Sequence, residues 1–353
     1  VNAQVAIDNN DIGGVVTSAN GPEAGVWVIA ETGDFDTFYA KIVVTDDMGR
    51  YVVPDLPDAD YQVWVRGYGL ADSEKVAATP GDATDLDAII APSAAIAAEI
   101  YPAISWYAMM HLPDEGELEN IDGGLNRYLN TMKTNGCVTC HQLGNLATRT
   151  LSDKLGEFDN SEEAWIRRVQ SGQAGATMMT RLAGDLQGIP FKYLADWTDR
   201  IAAGELPTFI PERPQGLERN IVATVRDWSD PKAYLHDLSS TDRRDPTVNG
   251  HGPIYGSPEV STDNFPILDP TNNTATTFLA PVRDPDTPFE GDVVQPSPYW
   301  GNERIWTSKA NSHNPMLDQD GRVWYTARIR APSNGDFCRE GSDHPSAQLF
   351  PTT

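Results

Sequence analysis

The hydrophobic period changes twice along this chain, and that change constrains the fold more than any other feature. Over residues 1–95 the apolar residues alternate. "AGVWVIAET" and "DYQVWVRGYG" are Val-rich and bounded by turn residues, the pattern of half-buried strands. Asp46-Asp47-Met48-Gly49 reads as a hairpin turn. Over residues 115–207 the period lengthens. Leu118, Ile121, Leu125, Leu129 and Met132 fall on one helical face that ends just before Cys137. Asp159, Asn160 or Ser161 caps a second helix carrying Trp165, Ile166 and Val169. A third begins after Pro190, stops near Gly204, and places Phe191, Leu194, Trp197 and Ile201 on one face. From Ile221 onward short strand patterns return among long Pro-, Asp- and Asn-rich loops.

A chain of 353 residues has room for two or three domains, and its 26 prolines and 29 glycines keep the elements short. The expected organisation is multidomain: an all-β sandwich over 1–95, a connecting segment over 96–114, an all-α domain over 115–207, a linker over 208–220, and an all-β region over 221–353. The most apolar window, residues 88–110, contains Pro92, Glu99 and Pro102 and reads as a packed segment rather than a membrane span. No signal peptide is visible at Val1, so export implies that this is the processed form.

The net charge is −25, from 26 Lys and Arg against 51 Asp and Glu. Such a surface repels nucleic acid and selects basic partners.

Against this background "NGCVTCHQLG", residues 135–144, stands out. Cys-x-x-Cys-His is the attachment signature of c-type haem: two thiols bond the two vinyl groups, and the adjacent imidazole reaches the iron from one face. A structural zinc site needs four ligands, and Cys338 is the sole further cysteine. A thioredoxin-like motif follows a strand, whereas a helix pattern precedes this one. Cys137 and Cys140 are therefore the expected haem anchors and His141 the proximal iron ligand. Two thioether bonds suit an exposed site in the periplasm or outside the cell.

The second axial ligand is sought downstream. "QSGQAGATMMTRL" places Met178 and Met179 there, after a Gly-rich run that reads as a loop passing close to a flat cofactor. A Met opposite His raises the reduction potential. Met178 is preferred, Met179 is the neighbouring alternative, and His111 is a third candidate.

These features resemble known families. The frame "TDDMGRYVVPDLPDADYQVWVRGYG", residues 45–69, resembles carboxypeptidase-regulatory-like and collagen-adhesin B-type modules, which implies a small antiparallel β-sandwich used for spacing or docking. Residues 115–207 resemble a class I cytochrome c domain: a first helix leads into "CVTCH", a Met-bearing loop follows, and "YLADWTDRI" closes the domain. The resemblance implies that the terminal helix crosses the first, with Tyr193 and Trp197 serving at the crossing. Residues 215–353 resemble streptogramin-lyase-like β-propellers through "NPMLDQDGRVWYTARI", which implies that Trp324 packs between blades. The chain supplies about three blades where closure takes roughly four to eight, so a further segment or a second chain is expected to complete the ring.

The last third adds candidates without a motif. "YLHDLSSTDRRDPTVNGHGPIYG" sets the His236–Asp237 pair near a loop, where it suits a general base or a metal ligand. His251, His313 and His344 are further loop histidines. The Asp-rich loops offer oxygens to Ca²⁺ but lack EF-hand spacing. Cys338 reads equally as half of a disulfide or as a buried thiol.

The leading expectation is an exported monohaem c-type cytochrome that carries electrons between redox partner proteins, with β domains for docking. A haem-fused propeller enzyme, oxidoreductase or lyase, is the alternative. A structural assembly subunit is the third reading.

Overall fold

The computed structural model describes residues 5–172, 174–282, 297, 300–328 and 341–349. They fall into two compact units. The first comprises Val1–Asp34, Phe38–Arg226 and Gln295–Glu303; the second comprises Phe35–Thr37, Asp227–Val294 and Arg304–Thr353.

The strands of the first unit are β1 (Ile12–Ser18), β2 (Gly21–Pro22), β3 (Trp27–Thr32), β4 (Phe38–Val44), β5 (Arg50–Val53), β6 (Tyr61–Arg66), β7 (Leu70–Ala71), β8 (Val76–Ala78), β9 (Leu86–Asp87), β10 (Ile89–Ile90) and β11 (Ala223–Asp227). They form small sheets: β2-β1-β5 with β9 on β1, a five-stranded β11-β4-β3-β6-β8, and a β10-β7 pair. Alternation dictates the burial. Ile12 and Val16 on β1, Val28 on β3, and Val63 and Val65 on β6 are fully buried.

The Asp46–Gly49 turn forms. The Gly49 amide donates to the Asp46 carbonyl, and Gly49 takes a left-handed φ of 73°. It makes no hairpin, however, because β4 pairs with β3 while β5 pairs with β1. The turn carries the chain from one sheet to another.

Helices follow within the same unit: α1 (Ala94–Ala98), α2 (Ala103–Tyr107), α3 (Gly124–Leu129), α4 (Leu146–Arg149), α5 (Ser161–Val169), α6 (Gly175–Met179) and α7 (Ile189–Ala202). The expected first helix is broken. A 3₁₀ turn covers Glu115–Leu118, Gly123 and Gly124 both take positive φ, and α3 then runs into a π turn over Asn130–Thr134. Its apolar face survives, with Leu118, Ile121 and Met132 buried. Asn160 caps α5, its side chain accepting from the Glu163 amide at 2.9 Å. Trp197 is wholly buried on α7, donates its indole N–H to the Trp106 carbonyl at 2.8 Å, and meets the Tyr107 ring edge-on.

This architecture corrects the expected fold class. Among the described residues no distinct all-α cytochrome c domain forms: the helices are short, and they share one compact unit with the β-strands. The residues between them explain why. Tyr101 packs on Tyr68 at 6.0 Å, Arg213 donates to the Tyr68 carbonyl at 2.9 Å and pairs with Glu23, and Arg219 pairs with Asp47. Nor do the N-terminal strands close as a self-contained sandwich module, since β11, from beyond residue 220, joins the sheet beside β4. The implied β-sandwich and class I cytochrome resemblances do not extend to the fold.

The second unit holds β12 (Asp237–Ser239), β13 (Ile254–Ser257), β14 (Asn264–Asp269) and β15 (Thr274–Leu279) as an antiparallel sheet in chain order, the pair β16 (His313–Leu317) and β17 (Val323–Thr326), and α8 (Pro345–Leu349). The partial propeller is likewise corrected: among the described residues there is no closed barrel or propeller. Trp324 is not packed between blades. It is 57% exposed, and its indole donates to Asp318 in the adjoining turn at 2.9 Å. Residues 308–310 bend around Asp263, whose carboxylate accepts from the Ser308 hydroxyl and the amides of Lys309 and Ala310. Among the described residues no helix is long and apolar enough to cross a membrane.

Candidate functional site

The CVTCH segment folds as one tight turn. Cys137–Thr139 is a 3₁₀ turn, and the His141 amide donates to the Cys137 carbonyl at 2.9 Å. Glycine is required on both sides. A Cβ on Gly136 would lie 2.1 Å from the Thr131 carbonyl oxygen, and one on Gly144 would lie 1.9 Å from that of Ala103. Gly144 also has a φ of 98°. The glycines on either side of the turn are therefore pressed against Thr131 of the preceding π turn and against α2.

Two arginines fix the chain that follows. Arg149 is buried, stacks 4.0 Å over the Trp106 ring, and donates to the Gly144 carbonyl at 2.8 Å. Arg168 on α5 reaches back to the carbonyls of Ala147 and Thr150 and lies 4.8 Å over Trp165.

The thiols are not joined to each other. Cys137 is half-buried, 4.0 Å from the Met132 sulfur, and burial pushes its thiol pKa up, so it carries its proton at neutral pH. Cys140 is exposed. His141 is exposed to solvent. Desolvation, then the Arg168 guanidinium, holds its imidazole below the ordinary value. At neutral pH that ring is uncharged and has a lone pair to give to a metal.

Met178 and Met179 do not lie on the expected loop. They end α6, which continues into a π turn over Thr180–Asp185. Both remain half-buried against the same apolar core that Cys137, Leu143, Leu151 and Ile166 touch, so the structure brings the Met pair and the motif to one core. His111 is exposed, and its Nδ1 lies 2.9 Å from Asp196.

A covalent porphyrin fits these residues. The donor set is two reduced thiols, a neutral imidazole and a thioether pair, set beside half-covered apolar side chains.

The other candidates fall elsewhere. Asp46, Asp245, Asp269 and Asp318 accept from backbone amides of their own turns, which gives the Asp-rich loops a local structural role apart from Ca²⁺. His251 lines a separate recess with Ser240, Asn249 and Thr271. His344 lies just before α8, and its amide donates to the Ser342 hydroxyl. Cys338 lies outside the described residues. His236 and His313 come together in the second unit, joined by Glu259, a residue that sequence reading passed over because nothing local marks it.

No protein-family model and no curated protein matches this chain in sequence.

Proposed function

We propose that this protein carries one covalent haem c on Cys137 and Cys140, ligated by His141, and passes single electrons between redox partner proteins in the periplasm or outside the cell. The observation that carries the reading is the CVTCH turn, with its thiols unpaired, its imidazole neutral, and the Met178–Met179 pair on the same apolar core. Each thiol adds its S–H across one vinyl group, sulfur to one carbon and hydrogen to the other, so attachment needs no oxidant. Bound haem supplies a one-electron Fe(II)/Fe(III) couple.

The chain's own residues do the rest. His141 offers its lone pair from an exposed ring, while Arg168 and Arg149 pin the chain that follows it. Met178 is the preferred distal ligand and Met179 the alternative. His111 is the weaker candidate, because its ring is engaged by Asp196. The charge of −25 favours a partner with a basic docking surface.

The test is expression in a host that exports the chain and attaches haem c. Peroxidase stain should stay with the chain on a denaturing gel, and alkaline pyridine should give a c-type spectrum. Haem lost to acid–acetone would overturn the reading.

A further inference from the structure

A second cluster lies in the other unit. His236 immediately precedes β12, His313 opens β16, and Glu259 follows β13. Their ligating atoms lie within 4.8 Å of one another. Glu259 Oε1 is 2.9 Å from His313 Nε2, and Glu259 Oε2 is 3.9 Å from His236 Nε2. On the far side of both rings lies one carboxylate. Asp237 Oδ1 is 3.1 Å from His236 Nδ1, and its Oδ2 is 3.2 Å from His313 Nδ1.

The two carboxylates bracket the two rings, Asp237 facing both Nδ1 atoms and Glu259 facing both Nε2 atoms. With each Nδ1 donating to Asp237, both Nε2 lone pairs face the Glu259 carboxylate, and a single divalent cation placed there is held by all three groups. The ring centroids are 4.8 Å apart.

The surroundings are built to hold that arrangement. The Asn314 amide donates to Asp237 Oδ2 at 3.0 Å, and the His236 amide donates to the Ser257 carbonyl at 3.0 Å. The fully buried Ser257 and Ser312 join the strands, the Ser257 hydroxyl donating to the Ser312 carbonyl at 2.7 Å. Glu259 sits at a φ of 49° and Asn314 at 51°, left-handed conformations that a structure keeps only where its surroundings impose them.

We propose that His236, Glu259 and His313 bind one divalent transition-metal ion of the zinc type, with Asp237 as the outer carboxylate that orients both rings. Two imidazoles and one carboxylate select such an ion over Ca²⁺ or Mg²⁺, which take oxygen ligands. Ligands about 2.1 Å from a tetrahedral centre lie roughly 3.4 Å apart, within the range of separations here. A carboxylate bonded to the outer nitrogen of a ligating histidine is the usual second layer of such sites. Three protein ligands leave a coordination position for water or a substrate.

The experiment uses the full haem-loaded chain, stripped with a chelator and titrated with Zn²⁺ alone in a calorimeter. Zinc K-edge absorption then reports the first shell. One equivalent should bind, with two imidazoles, oxygen and no sulfur. Glu259→Gln and His313→Gln should each weaken binding at least tenfold, and Asp237→Asn by about ten- to a hundredfold, with circular dichroism unchanged. The wild-type first shell decides the matter even where a variant misfolds. Absence of saturable binding, sulfur in the first shell, or affinity unmoved in folded Glu259→Gln and His313→Gln would overturn the proposal.

Discussion

Single residues carry the chemistry here, and each has one property that a substitution can remove. If Met178 ligates iron, the oxidised protein shows the weak near-infrared sulfur-to-iron band. Met178→Ala should then abolish the band and lower the potential, because a thioether favours Fe(II). A band lost in Met179→Ala and kept in Met178→Ala would transfer the role to Met179. Glu117 has a different task. Its carboxylate takes Lys192 Nζ at 2.7 Å and the Tyr193 hydroxyl, tying the Glu115–Leu118 turn to α7. These bonds, with the Asp114 amide, hold its pKa down to about 2, while burial and then Glu117 itself push Tyr193 up to about 12. A depressed carboxylate stabilises the fold above its unfolded pKa and loses that contribution on protonation. Stability from this pair is thus complete above about pH 4.5 and lost as pH falls toward 2. Denaturant unfolding of Glu117→Gln should be less stable than wild type at pH 7, and the gap should close toward pH 2; a gap independent of pH would contradict this assignment.

Among elements, the CVTCH turn depends on how closely α2 approaches it. Gly144→Ala places a methyl against the Ala103 carbonyl in a left-handed backbone and should cost about 2–4 kcal/mol. A lower melting temperature together with a smaller haem-loaded fraction would bear this out, and a wild-type melt would contradict it. What was legible in the sequence at this scale was local. Asn160 caps α5 because a cap needs only its own next three residues. The aromatic face of α7 was legible because 3.6-residue periodicity is intrinsic to the helix. The first helix was misread because its apolar face runs on across Gly123 and Gly124, whose positive φ breaks the backbone beneath it. The Asp46–Gly49 turn was legible, but turn residues do not say which strand the next one joins, and β5 joins β1.

For the molecule as a whole, the misjudgement was about partition. A change of period marks a change of element type, and it does not mark a domain boundary. Tyr101 on Tyr68 and the ties of Arg213 and Arg219 draw the helices and the first strands into one unit. The same distinction separates the two candidate sites. Cys137, Cys140 and His141 lie within five consecutive positions, so their spacing is legible whatever the fold. His236, Glu259 and His313 are dispersed over 78 positions of the chain and meet only through β12, β13 and β16, so no spacing announces them. The central claim, one haem bound covalently through residues 137–141, is tested most directly by intact-mass measurement of the denatured chain after expression with haem-attachment machinery. The account predicts a chain heavier by one haem, with the addition on the peptide containing Cys137 and Cys140 and no free thiol there. An unmodified mass, with both thiols still open to alkylation, would contradict it.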